Sequence, residues 1–470
     1  MRSVRIDACD HTARDELLAL ADLLLRVHDV ISIRRSVADV QSGVSLYPVK
    51  NLESKPRPST RATDYEEFRW MLGAHASSTL CTRILFFWAP FAIAHEFPNE
   101  PLYLGYLGLV QAIPALSLAI VGGYLADRFD RRNLLRWTYV LQWLCSLGMA
   151  ASSLLQGDTL LIAIYICMFW LGVARGFSEP TMPSLEAQII PRLAAVSGAT
   201  WTTIVWHACA VVAPLLAGLL IEVLGNAGPF ACSIVCAMFA IGMVSRIAPK
   251  PHPVRDTQES LTDSITAGWK FVLRRQILWS SMALDLFAVL FGGAIAMLPL
   301  FAKHILHIGP VGLGFLSAAP MCGALVCALF CIRFPPRAFA GRFLLVCVFG
   351  FGISMIVFAL SKNFYLSCAA LFMSGILDGF SVVIRKSILR LYSPDHMRGR
   401  IAAVNSIFIG ASNELGELES GVAAHFLGLA PSVFAGGVAT LVIVIAVAVF
   451  GIELRRFDMR NIHQEDESHS

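Results

Sequence analysis

Twelve long apolar runs, separated by short polar connections, dominate this chain and leave few folds open to it. They cover 72–95, 104–126, 133–155, 159–187, 198–222, 229–247, 277–301, 311–332, 340–360, 364–391, 399–427 and 430–453. A helix needs about 20 mostly apolar residues to cross the roughly 30 Å hydrocarbon layer of a bilayer. Barrel strands would be about ten residues long and would alternate in polarity. These runs are longer and apolar all round, so they predict helices. The connections hold helix breakers, among them Pro98 and Pro101, and Gly225, Gly228 and Pro229. Charged residues make up only 15% of the 470, against about 25% in soluble domains. Of these 70 (37 basic, 33 acidic), 22 fall in residues 1–70. The other 48 cannot keep a polar surface around a globular core, which excludes an ordinary soluble enzyme. The apolar content excludes a disordered chain.

Every second connection is rich in arginine. One set holds Arg128, Arg131, Arg132 and Arg136; Arg192; Lys250, Arg255, Lys270, Arg274 and Arg275; Arg333, Arg337 and Arg342; Arg390, Arg398 and Arg400; and Arg455, Arg456 and Arg460. The other set holds only Lys303 and Lys362. Basic loops stay in the cytoplasm, so both termini are expected there, with the chain as a multi-pass protein of a bacterial cytoplasmic (inner) membrane. The expected organisation is a cytoplasmic extension over 1–70, disordered or amphipathic, then a six-helix bundle over 71–250. A cytoplasmic linker with an interfacial helix follows over 251–276, a second bundle over 277–455 and a tail over 456–470. The cysteines mostly sit in apolar runs and read as packing residues.

The halves resemble each other. Gly172, Arg175, Gly176, Phe177 and Ser178 align with Gly375, Asp378, Gly379, Phe380 and Ser381 at an offset of 203. Gly108, Ala112 and Pro114 align with Gly314, Ala318 and Pro320 at an offset of 206. Span 2 thus matches span 8 and span 4 matches span 10, a six-plus-six duplication. Secondary transporters are built this way and bind at the interface of the repeats.

Charges inside the hydrocarbon are costly and mark function. Spans 3, 6, 9 and 12 have none in their interiors and are expected to face lipid. Arg83 lies about 16 Å into span 1 and Asp285 about 12 Å into span 7, at 1.5 Å per residue. Arg175 and Glu179 lie in span 4, His207 in span 5, Asp378 and Arg385 in span 10, and Glu414, Glu417 and Glu419 in span 11. All are expected to point into a shared wet cavity. Arg83, Arg175, Glu179, His207, Asp378, Arg385 and Glu419 are candidates for substrate contact or charge pairing. Asp285, Glu414 and Glu417 are candidates for proton coupling: a carboxylate in such a cavity can take a proton in one conformation and release it in the other.

Gly123, Leu125, Asp127, Arg128, Arg131 and Arg132 lie at the end of span 2 and in the connection after it. The segment resembles the signature loop of the major facilitator superfamily, G-x-L-x-D-R-x-G-R-R, with Asp130 at the second glycine. The resemblance implies an all-α integral membrane fold, twelve transmembrane helices as two six-helix repeats. It also implies that Gly123, Asp127, Arg128, Arg131 and Arg132 latch the halves together on the cytoplasmic side. Ala213, Pro214 and Gly218 are similar to an element of the superfamily's antiporters. The segments around Leu284–Gly293, Met397–Ser406 and Ser412–Gly421 resemble the enterobactin-exporter branch. That implies a proton-driven exporter of siderophores, drugs or similar amphiphilic compounds. The alternatives are an importer or symporter on the same fold and a membrane-embedded sensor. No metal motif, nucleophile constellation or ATP-binding loop is present in the sequence. The expected partners are a small-molecule substrate and the lipid bilayer, with no nucleic acid, no cofactor beyond the proton gradient as energy source, and a monomeric chain.

Overall fold

The computed structural model describes residues 59–250, 261–292, 294–334, 336, 338–394 and 397–459; the candidate amphipathic segment before residue 59 and the last residues of the tail lie outside them. All twelve predicted spans are helical. The first half runs α1 (Glu66–Glu96), α2 (Pro101–Arg128), α3 (Arg131–Ser152), α4 (Gly157–Ile189), α5 (Ala195–Leu224) and α6 (Ala227–Ser245). A linker helix α7 (Leu261–Arg274) follows. The second half runs α8 (Gln276–Phe291) and α9 (Leu298–His304), then α10 (Pro310–Arg333), α11 (Ala340–Leu360), α12 (Phe364–Tyr392), α13 (Arg398–Leu427) and α14 (Leu429–Phe450), with a short α15 (Ile452–Arg456). Helices satisfy their own backbone groups, which lipid cannot do. Ten of the spans are long and apolar enough to cross a bilayer by composition alone. The other two, α3 and α13, have the length but carry Arg131, Arg132 and Arg136, or the span 11 glutamates.

Two boundaries differ from the sequence reading. The first bundle begins earlier than residue 71: Ala62 is fully buried and its N–H donates to Ser197 Oγ at 3.2 Å, and α1 starts at Glu66. Span 7 is broken after Phe291, and a short 3₁₀ turn (Ala294–Met297) leads into α9. Gly292 is wedged against Phe351 there. The linker helix packs mainly on α13, with Trp269 stacked on Phe408 at 5.1 Å between ring centroids.

The duplication is physical as well as sequential. Gly172 of α4 packs on the Gln111 carbonyl and the Pro114 ring of α2. Its counterpart Gly375 of α12 packs on the Pro320 carbonyl of α10. One turn on, Gly176 meets Leu118 and Gly379 meets Cys327. Small residues four apart let two helices approach closely where lipid offers no hydrophobic drive. In each half, the spans 3, 6, 9 and 12 (α3, α6, α11 and α14) make their main contacts within that half.

Between the halves, α2 packs on α13 and α5 on α10. The contacts gather at the arginine-poor end of the bundle. Gly105 meets Gly421 and Leu418, Gly218 meets Pro310, and Gly314 meets Pro214. Lys303 Nζ donates to the Ala94 and His95 carbonyls at 3.3 and 3.0 Å, bridging α9 to the end of α1. The buried apolar residues follow the same division. At the arginine-poor end a single cluster runs through both halves, from Trp88 and Ile164 to Phe301 and Phe358. At the arginine-rich end the described core separates into two clusters, one around Tyr139 and Leu185 and one around Leu284 and Ile384. Among the described residues, the buried core is therefore joined at one end and parted at the other.

Candidate functional site

Asp285 is buried in α8, about 14 Å from its arginine-rich end at 1.5 Å per residue. Its carboxylate is ion-paired with Arg385 Nη1 of α12. Arg385 Nη2 reaches toward Asp378 Oδ1 at 3.8 Å, and Arg385 Nε donates to Ser381 Oγ at 3.2 Å. Asp378, Ser381 and Arg385 lie three to four residues apart along α12, so helical spacing puts them on one face. Asp285 and Arg385 keep only 10% and 12% of their side-chain surface, whereas Asp378 keeps 46%. The Asp285–Arg385 pair is thus nearly dry, while Asp378 beside it is open. A cavity of roughly 150 Å³ adjoins it, lined also by Lys386, Val289 and the polar side chains Asn405, Ser412 and Asn413 of α13.

This arrangement has a definite chemistry. A guanidinium placed between two carboxylates can be held by either. While Asp285 is ionised it holds Arg385; a proton on Asp285 would remove that hold and leave Asp378 as the competing partner. Removing one member of a buried pair strands the other charge.

The first half presents a cationic and aromatic group. The Arg83 guanidinium lies over the Trp206 ring of α5 at 4.8 Å, and Arg175 lies over Phe86 at 5.5 Å. Arg175 Nε pairs with Glu179 Oε1 at 3.1 Å, one turn along α4. His207 sits beside Trp206, its Nδ1 2.9 Å from the Thr203 carbonyl oxygen.

The span 11 acids are placed differently. Glu417 packs on Gly108 of α2, at the closed junction between the halves rather than beside Asp285. Glu419 is half-buried. The Glu414 side chain lies outside the described residues.

In the signature loop, Asp130 is the N-cap of α3 and accepts from the Arg132 N–H at 3.1 Å. Its φ of −60° is one any residue adopts, which explains why aspartate can replace the motif's glycine. Arg131 Nη1 donates to the Ser184 carbonyl at 2.9 Å and Arg132 Nη2 to the Ser245 carbonyl at 2.6 Å. Both partners belong to the first half. The close helix approach falls to Gly122, packed on the Gly176 carbonyl, and not to Gly123, which has nothing within 4 Å of where a Cβ would stand. Arg128 is exposed; the Asp127 side chain lies outside the described residues.

Sequence reasoning missed Ser381, Lys386, Trp206 and the α13 amides. Ser381 was legible, lying on the Asp378–Arg385 face. The others depend on which helices meet.

A family model described as transmembrane secretion effector matches residues 101–470. The enterobactin exporter EntS of Shigella flexneri is 23% identical over 341 residues, which cover 72% of this chain and 80% of that protein. EntS of Escherichia fergusonii matches with the same identity and coverage. A crystal structure of a bacterial homologue of the human lysosomal transporter Spinster, inward-facing and unoccupied, matches with a TM-score of 0.65 at 13% identity, covering 83% of this chain and 97% of that one. A bacterial homologue of the iron transporter ferroportin, also inward-facing, matches with a TM-score of 0.64 at 15% identity, over 83% and 99%.

Proposed function

Because the chain belongs to the transmembrane secretion effector family, on the major facilitator fold, we propose that this membrane transporter is a proton-driven exporter of siderophores, drugs or similar amphiphilic small molecules. The arginine-rich end is then the cytoplasmic one, and the parted end of the bundle is the mouth through which substrate enters. Substrate carriage needs the halves to part in turn at each end around a central site.

The observation that carries the reading is the Asp285–Arg385–Asp378 group beside a polar-lined cavity. An antiporter needs a group whose proton and whose substrate-bound state exclude each other. Asp285, ionised, restrains Arg385 and ties α8 to α12; protonated, it frees both helices to rearrange. The likeness to enterobactin exporters supports export and the amphiphilic substrate class.

The test is transport in proteoliposomes of the full chain under an imposed pH gradient, with compounds chosen from the medium of an expressing strain by mass spectrometry. Accumulation that follows the gradient and collapses with a protonophore is expected. Accumulation indifferent to the pH gradient would overturn proton coupling, and movement only in the opposite direction would make the protein an importer.

A further inference from the structure

We propose that Arg83 and Trp206 form the subsite that recognises a negatively charged group on an aromatic substrate. This rests on the reading above that the space between the halves is the substrate path.

The orientation of α1 comes first. Ser78 donates to Gln142 of α3, Cys81 meets Ser146 of the same helix, and Trp88 packs on Phe230 and donates to Asn226 next to α6. These residues fix the face of α1 that looks into its own half. Arg83 is two residues beyond Cys81, about 200° around the helix at 100° per residue, so it points away from that half's core. Cys209 Sγ donates to the Ala76 carbonyl at 3.5 Å and holds α5 against α1. That register brings Trp206 beneath the guanidinium. Arg83 lies near the middle of α1, with Arg175 and Glu179 as charged neighbours from α4.

The two arginines are held differently. Arg175 is engaged by Glu179. Among the described residues no hydrogen-bond acceptor or carboxylate pairs with Arg83; its contact is the indole face. A guanidinium removed from water without an anion is costly, and a ring quadrupole offsets only part of that cost. The Arg83 site is thus left without a counter-anion among the described residues. An arriving carboxylate or other planar anion would complete it through a two-pronged, charge-assisted contact. Trp206 still exposes 38% of its surface, so a substrate ring has an aromatic face to lie on beside its charged group. A cationic substrate would meet the Arg83 guanidinium instead.

The test uses two probes that differ only in charge, 2-naphthoate and 2-naphthamide. Binding to the purified full chain in nanodiscs is measured without any pH gradient, for wild type, Arg83→Gln, Arg83→Lys and Trp206→Leu. Each variant is first checked for a monodisperse peak and a cooperative thermal transition. Wild type is expected to bind the carboxylate at least about tenfold more tightly than the amide, as charge-assisted pairing requires. Arg83→Gln is expected to erase the preference and Arg83→Lys to retain part of it. Trp206→Leu is expected to weaken both probes together. No measurable carboxylate binding by wild type, equal binding of the two probes, or a preference that survives Arg83→Gln would overturn the assignment. Because no gradient is applied, these outcomes are independent of whether transport is proton-driven.

Discussion

Asp285 of α8 and Arg385 of α12 are ion-paired across two helices that the chain separates by 100 residues, and both are almost wholly withdrawn from water. Removing one member leaves the other charge buried and unpaired, at a cost of about 3–5 kcal/mol. Arg385→Met is therefore expected to lower the unfolding midpoint strongly. The double variant Asp285→Asn with Arg385→Met should recover much of the loss, since neither charge then remains stranded. Equal destabilisation by single and double variants, measured by thermal unfolding in detergent, would show that the pair is not coupled.

The same pair sets the expectation for coupling. Asp285→Asn mimics the protonated acid permanently, so Arg385 is never held and the cycle loses its proton-dependent step. Export against a pH gradient should be abolished while exchange of substrate at equal concentrations continues. If the Asn variant still concentrates substrate, coupling lies elsewhere, and Glu417 at the junction with Gly108 becomes the next carboxylate to replace.

How much of this was legible follows from what kind of signal each feature leaves. The twelve spans were readable because apolar length is a local property. The duplication was readable because Gly172 with Pro114 and Gly375 with Pro320 preserve the same close approach. The break in span 7 was not read, although Gly292 and Pro299 mark it, because the apolar run continues across it. The Asp285–Arg385 pair needed tertiary knowledge: an intramembrane acid announces that it requires a partner but not which helix supplies it. The span 11 acids were grouped with Asp285 by depth and charge. Rotation around α13 sends Glu417 toward α2 instead.

The signature loop yields two separable effects. Asp130 caps α3 through the Arg132 N–H, and Asp130→Ala should cost about 1 kcal/mol, the usual value of an N-cap, read as a modest drop in the unfolding midpoint. Asp127→Asn should instead cut transport with membrane insertion and thermal stability intact. Its proposed task is to stabilise the conformation in which the arginine-rich ends come together. Wild-type transport by that variant would remove Asp127 from the latch.

Neighbouring glycines should respond in opposite ways. A methyl group at Gly122 would run into the Gly176 carbonyl, and one at Gly375 into the Pro320 carbonyl, both backbone atoms with little room to retreat. Gly122→Ala and Gly375→Ala are expected to destabilise by about 1–3 kcal/mol, as overpacking does. Gly123→Ala, with open space around it, should leave the unfolding midpoint nearly unchanged. Similar losses at all three positions would contradict the close approach of α2 to α4 and of α10 to α12.

The joined end of the bundle offers the last prediction. Lys303 crosses from α9 to the final carbonyls of α1, at Ala94 and His95. Those carbonyls lie at the end of a helix, where they lack intrahelical donors and carry partial negative charge, so an ammonium is well placed there. Hydrogen bonds to charged groups contribute about 1.5–3 kcal/mol, and 1.4 kcal/mol is about tenfold in an equilibrium constant. Lys303→Met keeps the length of the side chain and removes the donor. It should therefore shift the molecule by roughly tenfold or more toward the conformation opened at the arginine-poor end. Spin labels in the connections at 97–100 and 305–309 would report this as a longer-distance population that grows in the variant. An unchanged distance distribution would mean that the glycine contacts of Gly105 with Gly421 and of Gly218 with Pro310 hold that end closed without the lysine.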